Sequence, residues 1–325
     1  MRGLDGGNVR DLCGGGVNQP AFVNTFFHYL RVGFIGFCMG LADLIPGVSG
    51  GTIAFVGGIY ERLIHGLKAL NVANARLLLT GPRALFFARV PMPFFIVLGA
   101  AMLVAIFFFA GVIAYLLEAH PTPLWAFFFG LILASVALLG HETWRWAPRE
   151  WGAFVVATVL TFLLVGSPLL QTSDAQWWLF PAGVIAISAM MLPGISGSYL
   201  LLILGKYEQV LTAVRDRDAV PLLLFGAGIV CGVLLFVRVI GWLLKHYRRL
   251  TLIALTGVMT GALRTVWPWR STPETGDDPV SARGDMILPA FDETLLLPAL
   301  TFVCGLAAVG ILHLIRKAER SQNGG

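Results

Sequence analysis

Two stretches of this chain place helix-breaking residues inside apolar runs. Residues 44–61 read LIPGVSGGTIAFVGGIYE, and residues 191–208 read MLPGISGSYLLLILGKYE. Each closes on Tyr-Glu. Hydrocarbon offers no water to unpaired N–H and C=O groups, so an interrupted helix survives there only if protein, water or a ligand satisfies it. The setting is hydrocarbon: the chain is 57% hydrophobic and 13% charged, with mean hydropathy +0.79, where soluble domains are roughly a quarter charged. Apolar runs of ~20 residues each match a core of ~30 Å. The class is an all-α polytopic membrane protein.

The spacing predicts apolar segments at 22–42 and 52–64 around the first break, then 93–117, 124–140 and 151–170. The order restarts with 177–192 and 198–212 around the second break, then 220–244, 251–267 and 294–315. At an offset of 147, Pro46/Pro193, Gly47/Gly194, Ser49/Ser196, Gly50/Gly197, Gly58/Gly205, Tyr60/Tyr207 and Glu61/Glu208 are identical. At an offset of 127 the following spans match too, including Gly99/Gly226, Val112/Val239, Ile113/Ile240 and Gly130/Gly257. Repetition at a fixed offset is the mark of duplication. It predicts a first repeat over 21–170 and a second over 171–316, with a flexible tail at 1–20 and a C-terminal tail at 317–325. Each repeat is a broken or re-entrant helix pair followed by three transmembrane helices. Three crossings between one pair and the next make the repeat inverted. The first apolar stretch lacks a small-residue cleavage site, which predicts a retained segment and no removed signal peptide.

Charge fixes the orientation. One side, with both tails and loops 61–92, 141–150 and 245–250, holds fifteen Lys/Arg, and the other holds six. The basic side is expected to be cytoplasmic, with both termini inside. The net charge of +5 then reflects topology, and no nucleic-acid partner is expected. Cys13, Cys38, Cys231 and Cys304 are scattered without C-x-x-C, and the histidines form no H-x-x-x-H pair. No metal, cofactor or disulfide framework is expected. No pattern in the chain sets an oligomeric state.

An inverted repeat with two interrupted helices is the plan of a transporter whose site lies near the bilayer midplane. Pro46, Gly47, Pro193 and Gly194 make the breaks. Half-helices starting near Thr52 and Ser198 would aim free N–H groups and a positive dipole end into the membrane, favouring an anion such as a phosphate. Gly50, Gly51 and Gly197 allow close approach to the backbone, and Ser49, Thr52, Ser196 and Ser198 add hydroxyls. The same residues are consistent with simple kinks capped by local hydroxyls, and freed carbonyls would equally suit a cation. Glu61 and Glu208, after Tyr60 and Tyr207, are either proton carriers in a dry site or interfacial carboxylates paired with Arg62 or Lys206. Asp43 has Met190 as its counterpart, so it is an asymmetric candidate for proton or sodium coupling, or a helix cap. Arg31 and Arg238 fall inside predicted spans, where an arginine either meets an anionic headgroup or snorkels to the interface. Trp144/Trp146/Trp151, Trp177/Trp178 and Trp267/Trp269 read as interfacial belts.

The segments GLADLIPGVSGGTIAFVGGIYERLI (40–64) and LPGISGSYLLLILGKYEQVL (192–211) resemble the paired signatures of a bacterial family once catalogued as domain of unknown function 368, whose members are assigned as undecaprenyl-phosphate translocases. The resemblance covers about residues 25–315. It implies return of a polyprenyl-phosphate carrier lipid from the outer to the inner leaflet of the bacterial plasma membrane, for reuse in cell-wall and surface-polymer synthesis. By position it implicates Asp43, Pro46, Gly47, Ser49, Gly50, Gly51, Thr52, Tyr60 and Glu61, and Pro193, Gly194, Ser196, Gly197, Ser198, Tyr207 and Glu208. Lys206 departs from the apolar residue usual before Tyr-Glu. One rival is an undecaprenyl-pyrophosphate phosphatase-like enzyme, whose signature is of the type P-G-x-S-R-S. Here its arginine position holds Gly50 or Gly197 and no carboxylate cluster accompanies it, so no enzyme activity is expected. A second rival is an ion-coupled transporter of a small anion, which would need a closed pocket in place of a cleft open to lipid.

Overall fold

The computed structural model describes residues 21–45, 47–71, 73–74, 76–77, 81, 83–142, 146–167, 172–271, 284–289 and 295–323. The tail at 1–20 and Pro46 lie outside them. Among the described residues the fold is all-helical, with one isolated bridge between Arg270 and Met286. In chain order the helices are α1 (Ala21–Asp43), α2 (Gly50–Val56), α3 (Tyr60–Ala69), α4 (Arg83–Arg89), α5 (Met92–Ala119), α6 (Pro121–Glu142), α7 (Pro148–Val165), α8 (Leu179–Met191), α9 (Gly197–Ile203), α10 (Tyr207–Asp216), α11 (Ala219–His246), α12 (Arg248–Ala262) and α13 (Leu296–Asn323). Five of them are long and apolar enough to cross a membrane: α5, α7 and α11 entire, Pro121–Leu138 of α6 and Leu296–Leu314 of α13.

The helix starts are encoded locally. Pro lies in the first turn of α5 and α7, where its missing N–H costs nothing. Asp218 caps α11 by accepting from the Val220 N–H at 3.3 Å. Helices α3 and α10 carry Glu61 and Glu208 in their first turns and Lys68 and Arg215 in their last, the polarity that suits the helix dipole.

The segments expected to run unbroken over 52–64 and 198–212 do not. Each is two helices, α2–α3 and α9–α10, with a second joint at Gly57–Ile59 and Leu204–Lys206. Gly58 (φ 72°) and Gly205 (φ 64°) turn the chain there, in a region closed to most side chains. Three pairs of helices match in length, whereas α1 has 23 residues and α8 has 13. Helices α2 and α9 have 7 residues each, α3 and α10 have 10, and α5 and α11 have 28.

Packing repeats as well. Helix α1 lies along α5 and α8 along α11, while α6 lies along α13 and α7 along α12. The last two pairs join the first half of the chain to the second. Glycines spaced four apart bring these backbones together. A Cβ on Gly36 or Gly40 would lie 2.7 Å from the Leu98 carbonyl or 2.6 Å from that of Met102. Gly257 and Gly261 press on the carbonyls of Phe154 and Thr158 at 2.5 and 2.4 Å by the same measure. Close backbone approach of this kind drives helix association where no hydrophobic effect operates. Outward faces stay apolar: Phe107 is 83% and Leu223 72% exposed, as lipid-facing side chains would be.

Candidate functional site

The two breaks meet. Ser49, only 1% exposed, caps α2 by accepting from the Gly51 N–H at 3.1 Å. Its own hydroxyl donates to the Met190 carbonyl at 3.1 Å, with that of Leu192 at 3.4 Å. Thr52, fully buried, accepts from the Gly194 N–H at 2.8 Å. Hydroxyls of the first break thus satisfy both a carbonyl and an amide that the second break sets free. Breaking the second helix in a dry interior becomes tolerable because the first break repairs it.

The remaining freed amide of the first break has an internal partner. The Gly50 N–H donates to Asp43 Oδ1 at 2.7 Å. Both N–H groups that the sequence would leave open for a ligand at Gly50 and Gly51 are therefore occupied in this conformation, by a carboxylate and a hydroxyl. Asp43 supplies negative charge where the dipole of α2 favours it. The second break is built differently. Ser196 makes no side-chain cap and instead shares a hydrogen bond with Ser198 at 2.8 Å, and Met190 replaces Asp43. Gly47 and Gly194 adopt nearly the same left-handed backbone, φ 94° and 97°. Gly197 lies against α8, where an added Cβ would stand 2.5 Å from the Ala186 carbonyl. Pro193 is buried in the same turn.

Other predicted residues lie apart from this junction. Arg31 donates to the Gly57 carbonyl at 2.6 Å, at the C-terminal end of α2, where a cation suits the dipole. Arg238 is exposed and bonds back to Leu234 of its own helix. Glu61 pairs with Arg248 across the two halves at 2.7 Å, and not with Arg62. Arg62 instead meets His28 and covers the Phe94 ring at 4.8 Å. Glu208 and Tyr207 are exposed, whereas Tyr60 is 2% exposed, packs on Phe55, and its hydroxyl has no hydrogen-bond partner among the described residues. The Arg248–Glu61 side chains are 64% and 33% exposed, so Glu61→Gln should change stability by under about 1 kcal/mol. The thermal unfolding midpoint in detergent checks this, and a large fall would mean the pair does more than bridge the starts of α3 and α12.

Several features escape sequence reasoning. Lys206 is 1% exposed, donates to the Ser173 carbonyl at 2.7 Å and has Asp174 3.7 Å away. With Thr172 donating to Leu204 and Gln209 to Asp174, it ties the end of α9 to the segment just before α8. The signal was present: a lysine at the place of Ile59, which is itself buried. Glu150, 4% exposed, pairs with Arg249 at 3.0 Å and had no such signal. Among the described residues no group of three His, Cys, Asp or Glu could hold a metal ion.

Long apolar helices packed on glycine around two interlocked interruptions define a multi-pass helical membrane protein. Its family follows from comparison: residues 39–283 match the model of the VCA0040-like, undecaprenyl phosphate translocase-like family, and the chain belongs to it. It is 38% identical over 247 residues to a curated polyprenyl-phosphate transporter of Vibrio cholerae serotype O1, covering 75% of this chain and 80% of that one. It is 32% identical over 254 residues to a polyprenyl-phosphate transporter of Staphylococcus aureus, covering 72% and 84%. No solved structure matches.

Proposed function

We propose that this protein is a non-enzymatic translocase of polyprenyl phosphate, carrying the undecaprenyl-phosphate headgroup from the outer to the inner leaflet of the bacterial plasma membrane for reuse in envelope synthesis. The observation that carries the reading is the junction, where two broken helices from opposite halves share one buried set of hydrogen bonds. Both curated relatives are named polyprenyl-phosphate transporters. The matched helix lengths and paired packing support an inverted repeat. Arg31 holding Gly57, and Lys206 holding Ser173, support hairpins that re-enter and leave on their own sides. Arg248–Glu61 and Arg249–Glu150 gather three basic loops at one end, which supports a cytoplasmic face there and termini inside.

In this conformation the junction is closed. Parting the breaks would free the Gly194 N–H and the hydroxyls of Ser49 and Thr52, while the Gly50 and Gly51 N–H groups and the Ser196–Ser198 pair would turn to the ligand only by leaving partners within their own breaks. A phosphate offers three strong acceptors to such donors, replacing the bonds lost. Asp43 would leave Gly50 as the headgroup arrives, and a proton or sodium ion would balance its charge. Tyr60 and Glu61 follow on α3, placed to transmit the change to the Arg248 end.

Leaflet exchange in proteoliposomes tests this. Purified protein is reconstituted with undecaprenyl phosphate, and outer-leaflet lipid is followed with and without a proton gradient. Protein-dependent exchange without phosphate release is expected. Release of phosphate from the pyrophosphate form, with no exchange, would replace the reading by the phosphatase-like enzyme.

A further inference from the structure

A second polar cluster lies at the C-terminal end of α12, away from Arg248–Glu61. That end abuts the second break: a Cβ on Gly194 would stand 2.9 Å from the Met259 Cα and 3.1 Å from the Ala262 Cβ. Two residues beyond Ala262, Arg264 donates to the Phe162 carbonyl at 3.2 Å and lies 4.6 Å over the Phe162 ring. Arg270 folds back over the same turn, donating to the carbonyls of Arg264 at 2.6 Å and Gly284 at 3.3 Å. Its titratable neighbours are Tyr199 and Arg264. Tyr199 belongs to α9 and donates to the Val165 carbonyl at 2.6 Å. The second half-helix and the ends of α7 and α12 thus converge on two guanidiniums.

Among the described residues no carboxylate pairs with either guanidinium. Ion pairs among the described residues engage Lys206, Arg248 and Arg249, while Arg264 and Arg270 bond only to backbone carbonyls there. Each guanidinium has five N–H donors in a planar fork, and the Phe162 bond engages one nitrogen of Arg264. Both side chains are half-buried. Burial lowers the pKa of Arg270, which lies outside the spanning helices; Tyr199 offsets this and the Arg264 charge adds to it. A dianion arriving between the two would relieve that penalty. Arg264 aligns with Ala137 at the 127-residue offset, so the first half carries no arginine at the matching position.

We propose that Arg264 and Arg270 form a receptor for a phosphate monoester at the approach to the second break, engaging the headgroup before the junction parts. The proposal rests on the transport reading and adds the headgroup's first contact. Paired guanidiniums suit this ligand because each can bind phosphate oxygens bidentately and two together balance its charge of about −2. An alcohol of the same tail would gain nothing from them.

The test is binding of a fluorescent farnesyl phosphate by the full-length protein in detergent. Arg264→Gln should weaken it at least about tenfold, the loss expected for a charged hydrogen-bonded contact, while farnesol does not compete. Inorganic phosphate that displaces the probe identifies the bare anion as sufficient; displacement by farnesyl phosphate alone identifies the lipid headgroup as the ligand. Either supports the receptor, and displacement by farnesol overturns it. Because a substituted chain can fold poorly, wild-type binding is also titrated with salt. Weakening with salt supports a charge-based receptor, and salt-independent binding overturns it. If wild-type protein exchanges lipid phosphate and a stably folded Arg264→Gln protein binds and exchanges equally, the receptor is wrong and the transport reading stands. Absence of exchange by wild-type protein removes the transport reading itself.

Discussion

In Gly50→Leu, leaflet exchange of lipid phosphate is expected to fall to the protein-free rate while the protein remains inserted and folded. A Cβ at this position would stand 2.8 Å from both carboxylate oxygens of Asp43. Leucine is accommodated only if Asp43 turns aside, which removes the acceptor of the Gly50 N–H. Its side chain also fills the space through which a headgroup would approach the backbone. The folding cost is local: about 1.5–3 kcal/mol for the charged hydrogen bond and about 1–3 kcal/mol for overpacking. Against a typical stability of about 5–15 kcal/mol, the protein survives and only transport is lost. The proteoliposome assay, run beside a melting curve, separates the two. Wild-type exchange by Gly50→Leu would remove the close-approach argument.

Gly194→Val is expected to show itself first in stability, with a lower melting midpoint. Its φ of 97° is strained for any residue with a Cβ, at about 1–3 kcal/mol, and β-branching makes it worse. The added Cβ would meet backbone, the Met259 Cα at 2.9 Å, with no flexible side chain to give way. Overpacking adds about 1–3 kcal/mol more. The Gly194 N–H that closes the junction onto Thr52 shifts with it. A melting midpoint roughly 10 °C below wild type is expected, with less inserted protein. An unchanged midpoint would mean that the second break is not held against α12 as described.

The breaks were legible because Pro and Gly in an apolar run have few other meanings, and because the series recurs at one offset. The second joint was not. Gly58 and Gly205 stood out as identities, yet glycine in an apolar run does not announce a turn, since membrane helices tolerate it. Only the backbone, at φ 72° and 64°, separates α2 from α3 and α9 from α10. The hydroxyls at Ser49 and Thr52 were legible as polar groups needing partners. Their partners were not, because a bond from Gly194 to Thr52 spans 142 residues and leaves no local pattern. Arg31 shows the converse: a charge in a span is conspicuous, but its acceptor, the Gly57 carbonyl, exists only once the hidden joint has formed. Lys206 was visible as a departure from Ile59, and its place against Ser173 depends on how α9 returns.

The one-way repair at the junction also bears on how the chain is made. Thr52 leaves the ribosome 142 residues before Gly194, which at about 5–20 residues per second is an interval of roughly 7–30 s. Throughout it, the hydroxyls of Ser49 and Thr52 have been synthesised while the Met190 carbonyl and the Gly194 N–H that they bond have not. The first break, whose Gly50 and Gly51 amides are met by Asp43 and Ser49, can form on its own. The second emerges onto hydroxyls already in place, so the order of synthesis matches the order of dependence.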